Sequence, residues 1–181
     1  EEGAEAAPER VEAVSVRVRV IIGELMHGRK AYARREGSEI HRIVIHHSGV
    51  EDATAESMAV HHVTKRGWGG IGYHYVIPRD GVVYKTEPVL VVSNHAGKYN
   101  RESVGVCLVG NFEVRAPNAG QLEAAAALVA ELAIAYHVPR ARIQGHGELA
   151  GVRTRCPGAL LEMTARRNGG ERVMRLGKGG Q

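Results

Sequence analysis

The chain has 181 residues, a formal net charge of +4 and an apolar fraction of 44%, which suits one domain with its own hydrophobic core. It contains no run of about 18 apolar residues, so a membrane-spanning helix is excluded. The basic balance suits a polyanion, but no aromatic-interleaved basic motif, zinc finger or helix-turn-helix is recognisable, so nucleic acid is not an expected partner.

The N-terminal part predicts an extension ahead of the main domain. Residues 1–13 are rich in Ala and Glu without an apolar period, which is typical of disorder. Residues 14–20 alternate strictly between apolar and polar, which predicts a strand with one buried face. Gly23-Glu24 could turn this strand back into residues 25–33. We therefore expect residues 1–38 to form an extension with a β-hairpin.

The main domain starts near residue 40 with a strand and a helix. Asp52 or Thr54 can cap the helix, which ends at Gly67. Asp80-Gly81 favours a tight reversal between two later strands. The elements predicted here are strands over 40–46, 73–77, 82–84 and 103–109 and a helix over 51–65.

The second half predicts a long helix, a short strand and a last helix. Asn118 can cap the long helix with Gln121 in the reciprocal position, and Pro139 stops it. Ile143 leads the short strand, and Pro157 opens the last helix. The order β-α-β-β-β-α-β-α predicts an α/β fold with a mixed central sheet flanked by helices. We assign residues 39–168 to this domain and 169–181 to a flexible basic tail.

Three side chains form a candidate zinc site. His46 ends an apolar strand, His146 lies in Gln144-Gly145-His146-Gly147, and Cys156 follows ten positions later. Two imidazoles and one thiolate leave one position of a tetrahedral zinc open for water, which is typical of catalytic sites. The residues alone leave His47 as a competitor to His46. Pairing of Cys156 with Cys107 is the alternative to metal binding, because zinc needs the thiolate.

Two further side chains are candidates for catalysis. The hydroxyl of Tyr73, which follows Gly72, could hold the attacking water or donate to a developing oxyanion. Thr154, two positions before Cys156, could donate to the substrate carbonyl. The plainer alternatives are a packed aromatic ring for Tyr73 and a local backbone hydrogen bond for Thr154.

Taken together, the motifs resemble the superfamily of type-2 N-acetylmuramoyl-L-alanine amidases and peptidoglycan recognition proteins. They run in the family's order from about residue 40 to 163. The matching elements are Ile45-His46-His47-Ser48, Arg66-Gly67-Trp68, Gly72-Tyr73-His74-Tyr75, Arg79-Asp80-Gly81, Asn94-His95-Ala96, Ser103 to Phe112, Gly145-His146 and Cys156-Pro157-Gly158.

The resemblance implies the roles of individual residues. It selects His46 over His47 as the first ligand of one zinc ion and adds His146 and Cys156. It places the catalytic tyrosine at Tyr73, and Thr154 stands where many amidases have lysine. From the resemblance and the loop positions, we expect the substrate to contact His47, Trp68, Asn94, His95 and Arg101.

The function implied is zinc-dependent hydrolysis of the amide between N-acetylmuramic acid and L-alanine in peptidoglycan. A phage or prophage endolysin and a bacterial autolysin both fit, acting on the bacterial cell wall as a monomer after secretion or release from the host cytoplasm. No signal peptide is recognisable in the sequence. The alternatives are a recognition module that binds peptidoglycan without turnover and an amidase of soluble muropeptides.

Overall fold

The computed structural model describes residues 16–165 and 172–176, and within them lie a six-stranded mixed sheet, a two-stranded sheet and two α-helices. This arrangement confirms the predicted α/β class. The strands are β1 Val18–Val20, β2 Arg42–His47, β3 Tyr75–Ile77, β4 Val83–Lys85, β5 Ser103–Leu108, β6 Ile143–Gly145, β7 Leu161–Ala165 and β8 Arg172–Leu176, and the helices are α1 Ala55–Arg66 and α2 Ala119–Ala135.

The main sheet has the order β1-β4-β3-β5-β2-β6. Among the described strands of this sheet, only β3 and β4 pair in antiparallel fashion, and they flank the predicted Asp80-Gly81 turn. Strands β3, β5, β2 and β6 run parallel to one another. Their carboxyl ends therefore meet at one edge of the sheet, where crossover connections leave room for a site.

The two faces of the sheet have different partners. Ile43 and Ile45 of β2 pack in one core together with Leu128 of α2. The opposite face of β5 carries Cys107, which packs in a second core with Met58 of α1. One helix thus covers each face.

Local signals set the helix ends, although α1 begins at Ala55 and not at residue 51 as predicted. The Thr54 side chain accepts a hydrogen bond from the Ser57 N–H at the start of α1, which ends at Gly67 with φ 67°. Asn118 and Gln121 form a capping box at the start of α2. Such caps satisfy backbone groups that the first turn leaves without partners.

The predicted N-terminal hairpin is wrong. β1 pairs in parallel with β4, so it is an edge strand of the main sheet. Gly23 lies in a short 3-10 turn and lacks the positive φ that two-residue hairpin turns need. Ile21 and Leu25 are buried in one core with α1. The burial of these two aliphatic side chains favours this path of the chain over a hairpin. The disorder predicted for residues 1–13 lies outside the described residues.

The predicted last helix and flexible tail are also wrong in part. Leu161–Ala165 and Arg172–Leu176 form an antiparallel pair instead. Leu161, Met163 and Ala165 alternate with polar residues, and this period of two also suits a strand. Residues 166–171 and 177–181 lie outside the described part of the chain.

Among the described residues, no helix is both long enough and apolar enough to cross a bilayer. Cys107 and Cys156 are both free thiols, so they do not form the alternative disulfide.

Candidate metal centre

Two of the candidate ligands are brought together by parallel strand pairing. Ile45 of β2 lies opposite Gly145 of β6, and His46 and His146 are the next residues in each segment. Their ring centroids are 4.6 Å apart. His46 is buried, whereas His146 is half-buried at the edge of the sheet. The site therefore has a buried inner imidazole and an outer one that is partly accessible to solvent.

The third candidate ligand comes from the loop after β6. Gly147 donates its N–H to the carbonyl of Cys156 at 2.7 Å. A side chain at Gly147 would lie 2.9 Å from the carbonyl oxygen of Thr154, so this close approach requires glycine. The loop brings Cys156 Sγ to 3.5 Å from His46 Nδ1.

The donor set fits a zinc ion. One ligand atom from each of His46, His146 and Cys156 lies within 4.8 Å of the others. Zinc bonds to nitrogen and sulphur at tetrahedral angles hold such ligand atoms about 3.5 Å apart. The separation of His46 Nδ1 and Cys156 Sγ matches this value. Three ligands from the protein leave a fourth position for water or substrate.

Burial affects the protonation states of His46 and Cys156 in different ways. Burial and the imidazoles of His95 and His146 keep the pKa of His46 well below its usual range, so its ring is neutral, as a metal ligand must be. Burial raises the pKa of the Cys156 thiol to about 12 without a metal. A bound divalent cation reverses that penalty by stabilising the thiolate.

Tyr73 lies beside this cluster, in the loop before β3. Its ring centroid is 5.1 Å from that of His46. Burial, with Cys107 and Cys156 nearby, raises the pKa of its phenol well above the usual range. The hydroxyl therefore stays protonated and can donate a hydrogen bond next to the metal position.

Thr154 is exposed on the Cys156 loop. Its Oγ1 accepts a hydrogen bond from the N–H of Cys156 at 3.2 Å. This is the local backbone bond expected under the plainer alternative. The same bond leaves the hydroxyl hydrogen available to a substrate at the mouth of the site.

His47 lies away from the three converging ligand atoms. Side chains alternate along a strand, and the His47 ring packs against Phe112 instead. Its Nδ1 accepts a hydrogen bond from the Phe112 N–H, while its backbone N–H donates to Cys156 Sγ. The structure thus gives His47 a part in holding the cysteine loop.

The other expected substrate contacts are dispersed. His95 is only 8% exposed and bonds to His46, so it lies behind the cluster. Asn94 bonds to Asn100 within its own loop. Arg101 forms an ion pair with Glu39 at 2.7 Å. These are contacts within the protein, and the substrate contacts expected for the three residues stay predictions.

A groove of about 460 Å³ runs between α1 and Tyr73. His62 of α1 lies along it, and its ring packs 4.7 Å from that of Trp68. Burial lowers the pKa of His62 to about 4, so the ring is neutral. Its Nδ1 accepts the Gly72 N–H, which leaves Nε2 carrying the proton. Sequence reasoning assigned no role to His62, which was marked only by its place on the predicted helix.

Arg35 is a second residue that sequence reasoning missed. Its guanidinium is buried and donates to the carbonyls of Val89, Asn100, Arg101 and Ser103. Burial lowers its pKa to about 10. The side chain ties residues near the start of the domain to the loop that carries His95. It lies in the predicted extension, where no pattern marked a buried cation.

Comparison with known proteins identifies the family. The family model for N-acetylmuramoyl-L-alanine amidase matches residues 36–159. Peptidoglycan-recognition protein LB of Drosophila melanogaster is 33% identical over 129 residues, which cover 66% of this chain and 55% of that protein. The endolysin of Enterobacteria phage T3 is 47% identical over 49 residues, covering 27% and 32%.

A solved structure agrees with these sequence matches. The Ph2119 endolysin from the Thermus scotoductus MAT2119 bacteriophage is 31% identical with a TM-score of 0.70, covering 80% of this chain and 93% of that one. The chain spans about half the length of the first curated relatives it matches. Because the family model covers more than half of the sequence, this chain belongs to the N-acetylmuramoyl-L-alanine amidase family.

Proposed function

We propose that this chain is a zinc-dependent amidase that cleaves peptidoglycan between N-acetylmuramic acid and L-alanine. The observation that carries the proposal is the convergence of His46, His146 and Cys156 within 4.8 Å beside a protonated Tyr73. The family match and relatives named as amidase and endolysin support the same reaction class.

In this proposal the two histidines and the cysteine hold one zinc ion. When bound, the ion supplies a Lewis acid for the substrate carbonyl and lowers the pKa of a water molecule toward neutrality. His46 is buried, while His146 and Cys156 are half-buried and partly accessible to solvent. The cluster thus combines a buried inner ligand with an accessible outer side.

In this proposal Tyr73 supplies a hydrogen bond to the transition state. Its raised pKa keeps the phenol protonated at neutral pH, so it donates to the oxygen that gains negative charge. Thr154, which is exposed on the Cys156 loop, adds a second hydroxyl. Both donors stay in place before substrate arrives, because one is packed and the other is tied to its loop.

The groove along α1 is the proposed path of the stem peptide. Tyr73 lines it together with polar side chains that can bond a peptide backbone and with the apolar Val50, Ala53 and Met58. His62 presents its Nε2–H on this path, since Nδ1 is occupied by Gly72. A stem peptide in this groove would lie next to Tyr73, which is beside the cluster.

The second candidate function is peptidoglycan binding without turnover. It is favoured by the relatives named peptidoglycan recognition proteins. The two functions differ in their products: only an amidase releases new amino groups. We expect the cysteine, which completes the three-ligand set, to accompany catalysis.

The test is product analysis on purified peptidoglycan. We expect new N-terminal L-alanine without new reducing sugar, because the amide and not the glycan bond is cut. Removal of metal by a chelator should abolish the release, and added zinc should restore it. Binding to the wall with no new amine, despite one bound zinc, would favour the recognition function.

A further inference from the structure

Behind the cluster, one hydroxyl group sets the proton positions of two histidines. Ser103 Oγ donates its only hydrogen to the carbonyl of Tyr99 at 2.6 Å, since a carbonyl can only accept. The same oxygen lies 3.3 Å from His95 Nε2. Because its hydrogen is used in the bond to Tyr99, the Ser103 hydroxyl can only accept a hydrogen bond from His95. Nε2 of His95 therefore carries the proton.

The next bond follows from this assignment. With its proton on Nε2, the neutral His95 ring has a lone pair on Nδ1. That atom lies 3.0 Å from His46 Nε2, so His46 Nε2 is the donor. The lone pair of His46 is then on Nδ1, the atom that lies 3.5 Å from Cys156 Sγ. The chain of bonds thus leaves His46 with its lone pair toward the metal position.

The fold also fixes the place of the His95 ring. Gly105 of β5 lies beneath it, and a Cβ there would come within 2.7 Å of the ring. The absent side chain of Gly105 thus leaves a slot that the His95 ring fills. Strand register pairs Gly105 with Val44, so this slot lies on the face of the sheet that carries His46. Asn100 Oδ1 accepts from the backbone N–H groups of His95 and Ala96 and holds the loop in place.

We propose that His95 is a positioning residue that holds His46 in the tautomer needed for zinc. Ser103 and the slot over Gly105 orient the His95 ring for this role. This inference rests on the proposed zinc site. Partners behind a ligating histidine orient the ring and raise its basicity, and their loss typically weakens metal binding 10- to 100-fold. The acceptor here is a neutral imidazole, so the site gains orientation without an added negative charge.

The test compares variants of His95 by zinc affinity and by imidazole nitrogen NMR. His95→Leu removes the acceptor, and we expect zinc binding about 10- to 100-fold weaker with His46 present as mixed tautomers in the metal-free protein. His95→Asn places an amide oxygen near the position of Nδ1 and should restore most of the affinity. Ser103→Ala should fall between them.

His41→Asn is the matched control, because His41 is exposed at the other end of β2, and its affinity should equal that of the parent. Wild-type affinity and an unchanged His46 tautomer in His95→Leu would overturn the proposal. Equal losses in the Leu and Asn variants would also overturn it, since packing alone would then explain them. Neither readout uses substrate, so a protein that binds zinc but lacks amidase turnover would still give a decisive answer.

Discussion

At the scale of single residues, neighbouring histidines receive different tasks from strand geometry. His46 faces the cluster, whereas His47 packs on Phe112 and accepts from its backbone N–H. Strand alternation says that only one of them can face the site, but it does not say which one. The resemblance to the family motif selected His46, and in the structure His46 lies with the other two candidate ligands.

Tyr73→Phe tests the proposed oxyanion donor. Removing the hydroxyl should lower kcat by about 10²- to 10³-fold, as for other donors of this type, while zinc content stays the same. Amine release and metal analysis measure the two effects. Tyr84→Phe, in β4, is the control and should keep full activity. Full activity in Tyr73→Phe would remove Tyr73 from the mechanism.

The burial of Glu87 predicts that the stability of the fold depends on pH. The carboxyl is buried, its Oε1 has no hydrogen-bond partner among the described residues, and burial raises its pKa to about 7. The folded state therefore binds a proton more tightly than the unfolded state does. The stabilisation that comes from this proton is complete below the unfolded pKa of about 4.5. As pH rises through about 7 it is lost, and the free energy of unfolding falls by up to about 3 kcal/mol.

Urea unfolding at pH 5 and pH 8 measures this loss. Glu87→Gln cannot ionise, so its free energy of unfolding should change less across that range than that of the parent. Glu123→Gln, on the exposed side of α2, is the control and should follow the parent. Identical pH slopes for the parent and Glu87→Gln would show that the buried carboxyl does not cause the dependence.

At the scale of elements, local signals were predictive and distant pairings were not. The Thr54 and Asn118 caps and the Gly67 end lie within a few residues of the helices they bound. β1 pairs with Val83–Lys85, more than 60 positions away, and no local pattern identifies that partner. A strand near the N-terminus was therefore predicted, but the partner predicted for it was wrong.

The burial of Ile21, directly after β1, predicts that this segment stabilises the fold. Ile21 is 2% exposed and packs against α1, so Ile21→Ala should cost about 2–5 kcal/mol. Val20, its neighbour, is 61% exposed, and Val20→Ala should change stability by less than about 0.5 kcal/mol. Chemical unfolding measures both. Equal, small effects would mean that the segment does not contribute to the core.

At the scale of the whole molecule, the site depends on contacts between distant parts of the chain. His46 and Cys156 are 110 positions apart, yet their ligand atoms lie 3.5 Å apart. Arg35 adds a third distant segment by binding carbonyls next to the His95 loop. Sequence spacing pointed to the ligands, but the bonds behind them could not be predicted, because buried hydrogen bonds form only once the layers pack.

The central claim is that one zinc ion, held by His46, His146 and Cys156, is required for amide cleavage. The most direct measurement is a zinc titration of the metal-free protein, followed by amine release from peptidoglycan. We predict that activity rises linearly to a plateau at one equivalent of zinc and that Cys156→Ala neither binds the ion tightly nor gains activity. Full activity in the metal-free protein, or in Cys156→Ala, would contradict the account.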